Sequence, residues 1–345
     1  MAKNYNKKEV KNVLITCFSS LGDVAMTIPI VYPVCEANPH VSFVFATGQV
    51  PATMLVNRPA NLLVLGVDMD RFKGLMVPMR LARNLQHRYG FDALADLNNN
   101  FHTKLMANKL KRKGVVVVTI DKSKPKLSRD IHASVVPYHE RFKVVFKQLD
   151  LDLGKEFTSV YAHGEAPSSP IVPAKEDGDR WIAIAPFSKH QGKMYPMEQM
   201  QLVISEISRW ERCHIFLMGS KNEREVFDSI MKCYSNVLSL PHIKHTLADE
   251  LALLNRCDIM LTMDSANMHL ASLVNLPVVS VWGATHPASG IMGWHQAMRD
   301  TVHLDLDCRP CSVDGKKKCR FGDYHCMRDI SPELIINKVK KVLER

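Results

Sequence analysis

The sequence predicts two successive α/β domains, each a parallel sheet with helices on both faces. Short β-rich apolar runs alternate with segments of helical period, this alternation stops once and then restarts, and 345 residues suffice for two cores of ordinary size. Such alternation is typical of doubly wound sheets, in which right-handed crossover helices cover the strands. The predicted fold class is therefore α/β with two doubly wound domains.

The first domain is predicted to span residues 1–165. Its strands are apolar runs rich in β-branched residues: Val13–Phe18, Val41–Thr47, Leu62–Val67, Ala93–Leu97 and Val115–Ile120. Segments of helical period lie between or after them: Asp23–Ala37, Leu75–Arg88 and His139–Leu149.

Residues 166–179 are predicted to be a linker, because they contain three prolines and show no apolar period. The second domain, residues 180–345, repeats the alternation. Its strands are Trp181–Ala185, His214–Met218, Ile259–Thr262 and Val278–Trp282, and its helices are Met197–Arg212, Glu223–Cys233, Leu247–Cys257 and Asn267–Val274. A last helix begins after the N-cap Ser331, with Pro332 in its first turn, and is free to pack back on the first domain.

Charge is distributed unevenly along the chain. The net charge is +10; residues 1–160 hold 23 Lys and Arg against 13 Asp and Glu, whereas residues 161–345 hold 22 of each. This asymmetry predicts an anionic partner for the first half, although a solubilising surface would produce the same pattern. Nucleic acid is not an expected partner, because no recognisable binding module with interleaved aromatic residues is present.

The sequence shows neither an export signal nor an apolar stretch of the roughly 18 residues that a membrane-spanning helix needs. It contains nine cysteines, which in this context are expected to be reduced thiols. We therefore expect a cytoplasmic protein.

The loop after the first strand carries Ser19, Ser20, Gly22 and Asp23 and opens a helix. Gly22 permits a tight turn, and free amides at the helix start can hold an anion or orient a carboxylate. Asp23 is the candidate for chemistry. The alternative is an acidic residue that only complements the helix dipole.

Two loops of the second domain have a similar placement. Ser188 and Lys193 precede a helix near Pro196, so that a hydroxyl, an ammonium group and a helix dipole converge in a way that suits a phosphate. Glu223 follows the next strand and can accept hydrogen bonds from sugar hydroxyls, or can act as an ordinary helix cap.

The last of these loops runs from Thr262 to His269. A strand delivers Asp264 and Ser265 to a helix start whose amides would face a diphosphate, and His269 follows one turn later. Packing alone explains this pattern poorly, so a ligand site is predicted.

Four segments together resemble the signatures of glycosyltransferase family 9, the ADP-heptose:lipopolysaccharide heptosyltransferases. They are Ser19–Asp23, the run that ends in Lys193-Met194-Tyr195-Pro196, the segment Asp264–His269 with Leu270 and Ala271 after it, and Trp282-Gly283-Ala284-Thr285-His286-Pro287. Their order and spacing match the family from about Val13 to Leu343. The resemblance implies a GT-B architecture: an acceptor-binding first domain, a donor-binding second domain and reaction in the cleft between them.

The resemblance also implies roles for single residues. Asp23 becomes the general base, supported by Ser19, Ser20 and Gly22. The implied donor-binding residues are Ser188, Lys193, Glu223, Asp264, Ser265, Ala266 and His269. Two positions depart from the family pattern: Cys17 stands where a basic residue is frequent, and Ala266 stands where glycine is usual and crowds the diphosphate site slightly.

The implied reaction is an inverting transfer of heptose from ADP-heptose to the anionic lipopolysaccharide core at the inner leaflet of the inner membrane. ADP-heptose is a substrate here, and no cofactor is expected. Asp23, ionised at neutral pH, would accept the proton of the attacking hydroxyl. The alternatives are a GT-B transferase or epimerase that uses another nucleotide sugar, and a non-catalytic protein that binds core oligosaccharide or nucleic acid.

Four thiols occur within 19 residues, at Cys308, Cys311, Cys319 and Cys326. Four thiolates can close a tetrahedral zinc site. The spacing differs from that of two paired CxxC motifs, however, so reduced thiols or a redox-dependent pair are the preferred interpretation and no metal is expected.

Overall fold

The computed structural model describes residues 9–71, 74–123 and 135–345. The chain divides into two compact units, the first comprising Met1–Lys122 and His139–Phe157 and the second Ser123–Tyr138 and Thr158–Arg345. Residues 166–179, for which the sequence predicts a linker, fall within the second unit. Each unit is built on one parallel sheet, so the predicted α/β class is confirmed.

The first unit has a five-stranded parallel sheet in the order β3-β2-β1-β4-β5. The strands are β1 (Asn12–Thr16), β2 (Ser42–Gly48), β3 (Leu62–Val67), β4 (Ala93–Asp96) and β5 (Val116–Thr119). The helices are α1 (Leu21–Ala37), α2 (Gln49–Ala52), α3 (Met76–Tyr89), α4 (Phe101–Lys111) and α5 (Tyr138–Lys147). All five predicted strands are confirmed to within two residues at either end.

The sequence did not predict α4, although this helix packs closely against α3. Its buried stripe consists of Thr103, Met106, Ala107 and Leu110, and three lysines interrupt the apolar pattern.

Burial is heaviest along α1, where 13 of 17 residues are buried. Since β1 is the central strand, the loop between β1 and α1 lies at the middle of the sheet.

The second unit has a six-stranded parallel sheet in the order β11-β10-β9-β6-β7-β8. The strands are β6 (Arg180–Ala185), β7 (Cys213–Leu217), β8 (Val237–Ser239), β9 (Ile259–Met263), β10 (Val278–Val281) and β11 (Thr301–Val302). The helices are α6 (Met197–Ile207), α7 (Arg224–Met231), α8 (Leu247–Leu254), α9 (Ala266–Leu273), α10 (His325–Arg328) and α11 (Pro332–Leu343).

Two predicted features of the helices have clear outcomes. The helix predicted over Met197–Arg212 ends at Ile207, because the chain then turns and Arg212 adopts a left-handed φ of 54° before β7. Ser331 caps α11 as predicted, since its side chain accepts a hydrogen bond from the amide of Leu334. This last helix packs on α6 and on β9, β10 and β11 of its own unit.

Strand order reverses direction once in each sheet, between β1 and β4 in the first and between β6 and β9 in the second. Ligands of open α/β sheets bind at the carboxyl ends of the strands that flank such a switch point. The predicted polar loops at Asp23, Ser188 and Asp264 all follow these strands.

Candidate active site

An ion pair spans the switch point of the second sheet. The ammonium nitrogen Nζ of Lys193 lies 2.9 Å from Oδ2 of Asp264, and both side chains are largely buried. The same Oδ2 accepts a 2.7 Å hydrogen bond from the hydroxyl of Thr285, while Ser188 donates its hydroxyl to the backbone oxygen of Asp264 at 3.1 Å. The loops after β6, β9 and β10 are thereby tied together around one carboxylate.

The local sequence explains how the Asp264 loop is formed. Ser265 is the N-cap of α9: its hydroxyl oxygen accepts the amide of Asn267 at 3.3 Å and lies 3.1 Å from the hydroxyl of Thr262. Ala266 is the first residue of the helix. The first turn of a helix leaves amides without intrahelical partners, and an anion is favoured there.

A close backbone approach fixes the loop that carries Lys193. The amide of Ala284 donates to the carbonyl of Gly192 at 2.8 Å, and a β-carbon at residue 192 would lie 2.8 Å from the Cβ of Ala284. The stem of Lys193 packs against Gly315, which has a φ of +79°. Glycine is needed at 192 for space and at 315 for backbone conformation.

His269 is buried behind this cluster. Burial, and secondly the positive charge of Lys193, lower the pKa of His269 to about 3, so that its imidazole is neutral at neutral pH. Its Nδ1 atom is buried and has no hydrogen-bond partner among the described residues. A neutral ring in this position adds no further positive charge to the anion site.

Glu223 forms a capping box at the 3₁₀ turn that precedes α7. Its Oε2 accepts the amide of Ser220 at 2.6 Å and also the hydroxyl of that residue. Of the two sequence-based interpretations, helix capping is what the contacts show. The carboxylate stays half-buried at the carboxyl end of β7.

Arg309 is a buried residue that the sequence did not single out. Its guanidinium donates to the carbonyl oxygens of Trp282, Gly283, Thr285 and Leu304. Burial lowers the pKa of Arg309 from its ordinary value. Because Arg309 holds the backbone from Trp282 to Thr285, it supports the segment whose threonine binds Asp264.

The cysteine segment surrounds this arginine. The sulfur of Cys308 lies 3.5 Å from Nε2 of His325, and Nδ1 of the same ring lies 2.9 Å from Asp323. No group of three or more His, Cys, Asp or Glu side chains in the described part of the chain is arranged to hold a metal ion. The four thiols influence one another's pKa, as burial and then Cys311, Cys308 and Cys319 each raise that of Cys326, and the zinc alternative for Cys308, Cys311, Cys319 and Cys326 stays a prediction.

In the first unit, Asp23 stands in the first turn of α1. Its Oδ2 accepts the amide of Ser20 at 3.0 Å and lies 3.6 Å from Nζ of Lys122. The Asp23 side chain keeps about a third of its surface exposed, at 31%. A carboxylate that is held in place yet accessible can accept a proton from a bound hydroxyl.

Asn98, which sequence analysis also missed, clamps the preceding loop. Its side-chain oxygen accepts the amide of Phe18 at 3.1 Å, and its side-chain nitrogen donates to the carbonyl of Ser19 at 2.6 Å. Buried Asp96 orients this segment by accepting the amide of Asn98 and the hydroxyl of Thr16. The loop that contains Ser19, Ser20 and Gly22 is therefore fixed by side chains at the end of β4 and just after it.

The structure brings Ser188, Lys193, Asp264 and Ser265 together at one sheet edge, with Ala266 and His269 on the helix that follows. Glu223 lies after β7 in the same unit, and Asp23 belongs to the other unit. Two doubly wound sheets, one of which carries a lysine and a helix start at its carboxyl edge, define a two-domain α/β protein suited to a phosphate-bearing ligand.

Comparison with known proteins identifies the family. The model of glycosyltransferase family 9 (heptosyltransferase) matches residues 79–325. Lipooligosaccharide heptosyltransferase 2 of Campylobacter jejuni is 23% identical over 332 residues, which cover 93% of this chain and 96% of the relative. The chain belongs to glycosyltransferase family 9, and it is a glycosyltransferase of the heptosyltransferase group in lipopolysaccharide biosynthesis.

Solved structures agree on the GT-B fold. The family 9 glycosyltransferase from Veillonella parvula superimposes with a TM-score of 0.71 at 18% identity, covering 98% of both chains. The E. coli heptosyltransferase WaaC with ADP gives a TM-score of 0.67 at 16% identity, covering 96% of this chain and 99% of that one.

Proposed function

We propose that this protein transfers heptose from ADP-heptose to the lipopolysaccharide inner core, with inversion at the anomeric carbon. The observation that carries the proposal is the Lys193, Asp264 and Thr285 cluster at the carboxyl edge of the second sheet, beside the amides that open α9. It is an anion site in the unit that would bind the nucleotide. The names of the family relatives supply the acceptor class.

In the proposed reaction, an acceptor hydroxyl oxygen attacks C1 of heptose as the bond between C1 and the diphosphate oxygen breaks. Asp23 takes the hydroxyl proton, and ADP leaves with the bonding electron pair. Direct displacement on the opposite face of the sugar inverts the configuration at C1. The exposed carboxylate of Asp23, restrained through Ser20, is the group that supports this role.

On the donor side, negative charge grows on the diphosphate as the sugar departs. Lys193 and the first amides of α9 would stabilise this charge, since preorganised donors act most strongly on charge that develops during the reaction. Asp264 would act indirectly, because its Oδ2 is already occupied by Lys193 and Thr285. The scheme uses only groups of the protein and the two substrates, without a cofactor.

We further propose that the protein works at the cytoplasmic face of the inner membrane. Among the described residues, no helix is both long and apolar enough to cross a bilayer. The excess of basic residues in the first half would instead attract anionic lipid and the phosphates of the acceptor, at about 1 kcal/mol per nearby Lys or Arg. Some of those basic residues, including Lys124, Lys126 and Arg129, lie outside the described residues. Nucleic acid is not a proposed partner.

Ala266 stands where the family usually has glycine, next to the proposed diphosphate site. The identity of the donor nucleotide and sugar is therefore the first part of the proposal to test. Thermal unfolding with ADP-heptose and with a panel of UDP-, GDP- and CMP-sugars separates the candidates, because stabilisation rises with the logarithm of ligand concentration over Kd. A selective shift with ADP-heptose is expected. A larger shift with another nucleotide sugar would assign a different donor.

Product stereochemistry tests the reaction itself. Incubation with ADP-heptose and a deacylated, water-soluble inner-core oligosaccharide should yield one new heptosyl linkage, with an anomeric configuration opposite to that of the donor by NMR. Retention of configuration would exclude the single-displacement scheme.

A further inference from the structure

Exposed apolar side chains gather along one edge of the first sheet. Among the described residues of the first unit, nine large apolar side chains are exposed, and six of them follow a strand's carboxyl end: Val50, Met69, Leu75, Met76, Val77 and Phe101. We call these six the apolar edge. Single exposed apolar residues are ordinary, but a cluster on one side of a domain indicates an interaction surface.

Topology places the six residues on the same side of the unit. Val50 follows β2; Met69, Leu75, Met76 and Val77 follow β3; and Phe101 follows β4. The strands of this sheet are all parallel. The carboxyl ends of parallel strands meet at one edge. Asp23 follows β1 at that edge too, and a β-carbon at Gly48 would lie 3.2 Å from Cγ of Met69 and 3.6 Å from the carbonyl oxygen of Phe18. The apolar edge therefore borders the loop that leads to Asp23.

Basic side chains stand directly behind the apolar residues. The neighbouring helices α3 and α4 begin at Met76 and Phe101, and together they carry three arginines and three lysines but no Asp or Glu. Arg80 and Lys104 lie about one turn from the helix starts and are exposed. A protruding apolar row followed by a purely basic face matches the chemistry of an anionic bilayer surface, where acyl chains lie below phosphate groups.

We propose that the apolar edge is a bilayer-docking surface, whose side chains enter the boundary between headgroups and acyl chains while Arg80 and Lys104 bind lipid phosphates. The inference rests on the proposed function only for the acceptor, a lipid-anchored saccharide presented to Asp23. A second copy of the chain fits less well, because a two-fold contact through this surface would oppose two basic faces.

Two kinds of attraction then hold the protein on the membrane, and they respond differently to salt. The Debye length falls from about 10 Å at 0.1 M to about 3 Å at 1 M, which weakens the contribution of Arg80 and Lys104. Apolar insertion does not depend on this screening. A fraction of the binding to anionic vesicles is thus expected to persist at high salt, and insertion of Met76 and Phe101 should account for it.

The test compares paired variants in vesicle sedimentation, using phosphatidylcholine vesicles that contain phosphatidylglycerol. Met76→Ser with Phe101→Ser removes two exposed apolar side chains, 66% and 59% accessible, without adding charge. Leu202→Ser is the matched control, because Leu202 is 60% accessible but lies on α6 of the second unit. Serine is tolerated at exposed helix starts, and unchanged melting temperatures confirm folding.

We expect the Met76 and Phe101 pair to weaken vesicle binding by about tenfold or more and to abolish the salt-resistant fraction. Arg80→Gln with Lys104→Gln should abolish mainly the salt-sensitive fraction, and Leu202→Ser should stay within about twofold of the wild type. Wild-type binding by the serine pair, or an equal loss in the Leu202 control, overturns the proposal. Self-association of the wild type that the serine pair abolishes assigns the surface to a second copy, and also overturns it.

Turnover separates this inference from the proposed function. The serine pair should raise the apparent KM for an inner-core acceptor embedded in vesicles by about tenfold, and should leave turnover of the deacylated acceptor close to wild type. A wild-type enzyme that uses neither acceptor would refute the proposed function, while the vesicle-binding result would still decide the role of the apolar edge.

Discussion

Lys193 and Asp264 form a 2.9 Å ion pair that joins the loops after β6 and β9, the two strands between which strand order reverses in the second sheet. Thr285 adds the loop after β10 through the same carboxylate oxygen. Three segments that are distant in sequence thus depend on one carboxylate, and removal of either charge leaves the other largely buried and unpaired.

We therefore predict that Lys193→Ala and Asp264→Asn each weaken ADP binding by about tenfold or more, equivalent to about 1.4 kcal/mol. Their effects should be non-additive in the double variant, because both remove one interaction. Isothermal titration calorimetry with ADP measures this. Lys175→Ala is the control, since the Lys175 and Asp258 pair at 2.8 Å lies away from the carboxyl edge. Unchanged ADP affinity in both Lys193→Ala and Asp264→Asn would show that the donor binds elsewhere on the protein.

Asp23→Asn should lower turnover by roughly 10² to 10⁴, the usual contribution of general-base catalysis, with little change in donor affinity. Steady-state rates and ADP titration together check both parts of this prediction. Asp68→Asn, an acidic residue after β3 in the same unit, should retain activity. Near-normal turnover of Asp23→Asn would show that another group takes the proton.

Stability should fall in acid partly because of His269. Its pKa is about 3 in the folded protein, against about 6.5 for an unfolded chain, so between these values the unfolded state binds more protons. Stability from this residue is complete above about pH 6.5 and is lost as pH falls toward 3. We expect the urea midpoint to fall less between pH 7.5 and pH 5 in His269→Gln than in wild type. The exposed His163→Gln is the control, and equal pH dependence in all three proteins would contradict the assignment.

Arg309→Ala should cost about 2 to 4 kcal/mol of folding free energy, because four backbone carbonyls lose a buried donor. It should also weaken ADP binding, because two of those carbonyls belong to Trp282 and Thr285, and the hydroxyl of Thr285 binds Asp264. Urea unfolding and calorimetry provide the two measurements. Exposed Arg320→Ala, in the same segment, is expected to change stability by less than about 0.5 kcal/mol.

The sequence predicted the fold well because both cores are built from long apolar runs with a clear period. The strands it did not predict, β8 and β11, have only three and two residues and are defined by pairing with a neighbour. Residues such as Asp23, Lys193 and Asp264 were predictable as candidates because they follow strands. Their contacts were not predictable. Thr285 stands in a segment that the sequence pointed to, but Thr285, Arg309 and Asn98 all act through contacts between segments far apart in the chain, and no local spacing reveals such contacts.

The close approach of Gly192 and Ala284 should restrict which residues homologues can have at these two positions. Because a β-carbon at residue 192 would lie 2.8 Å from the Cβ of Ala284, residue 192 cannot gain a side chain while alanine stands at 284 and the hydrogen bond from the amide of residue 284 to the carbonyl of residue 192 persists. The two positions should therefore covary: homologues with alanine or serine at 192 are expected to have glycine at 284. If the two positions change together across many relatives, the conformation of the loop that carries Lys193 is kept even in relatives with another residue at position 193.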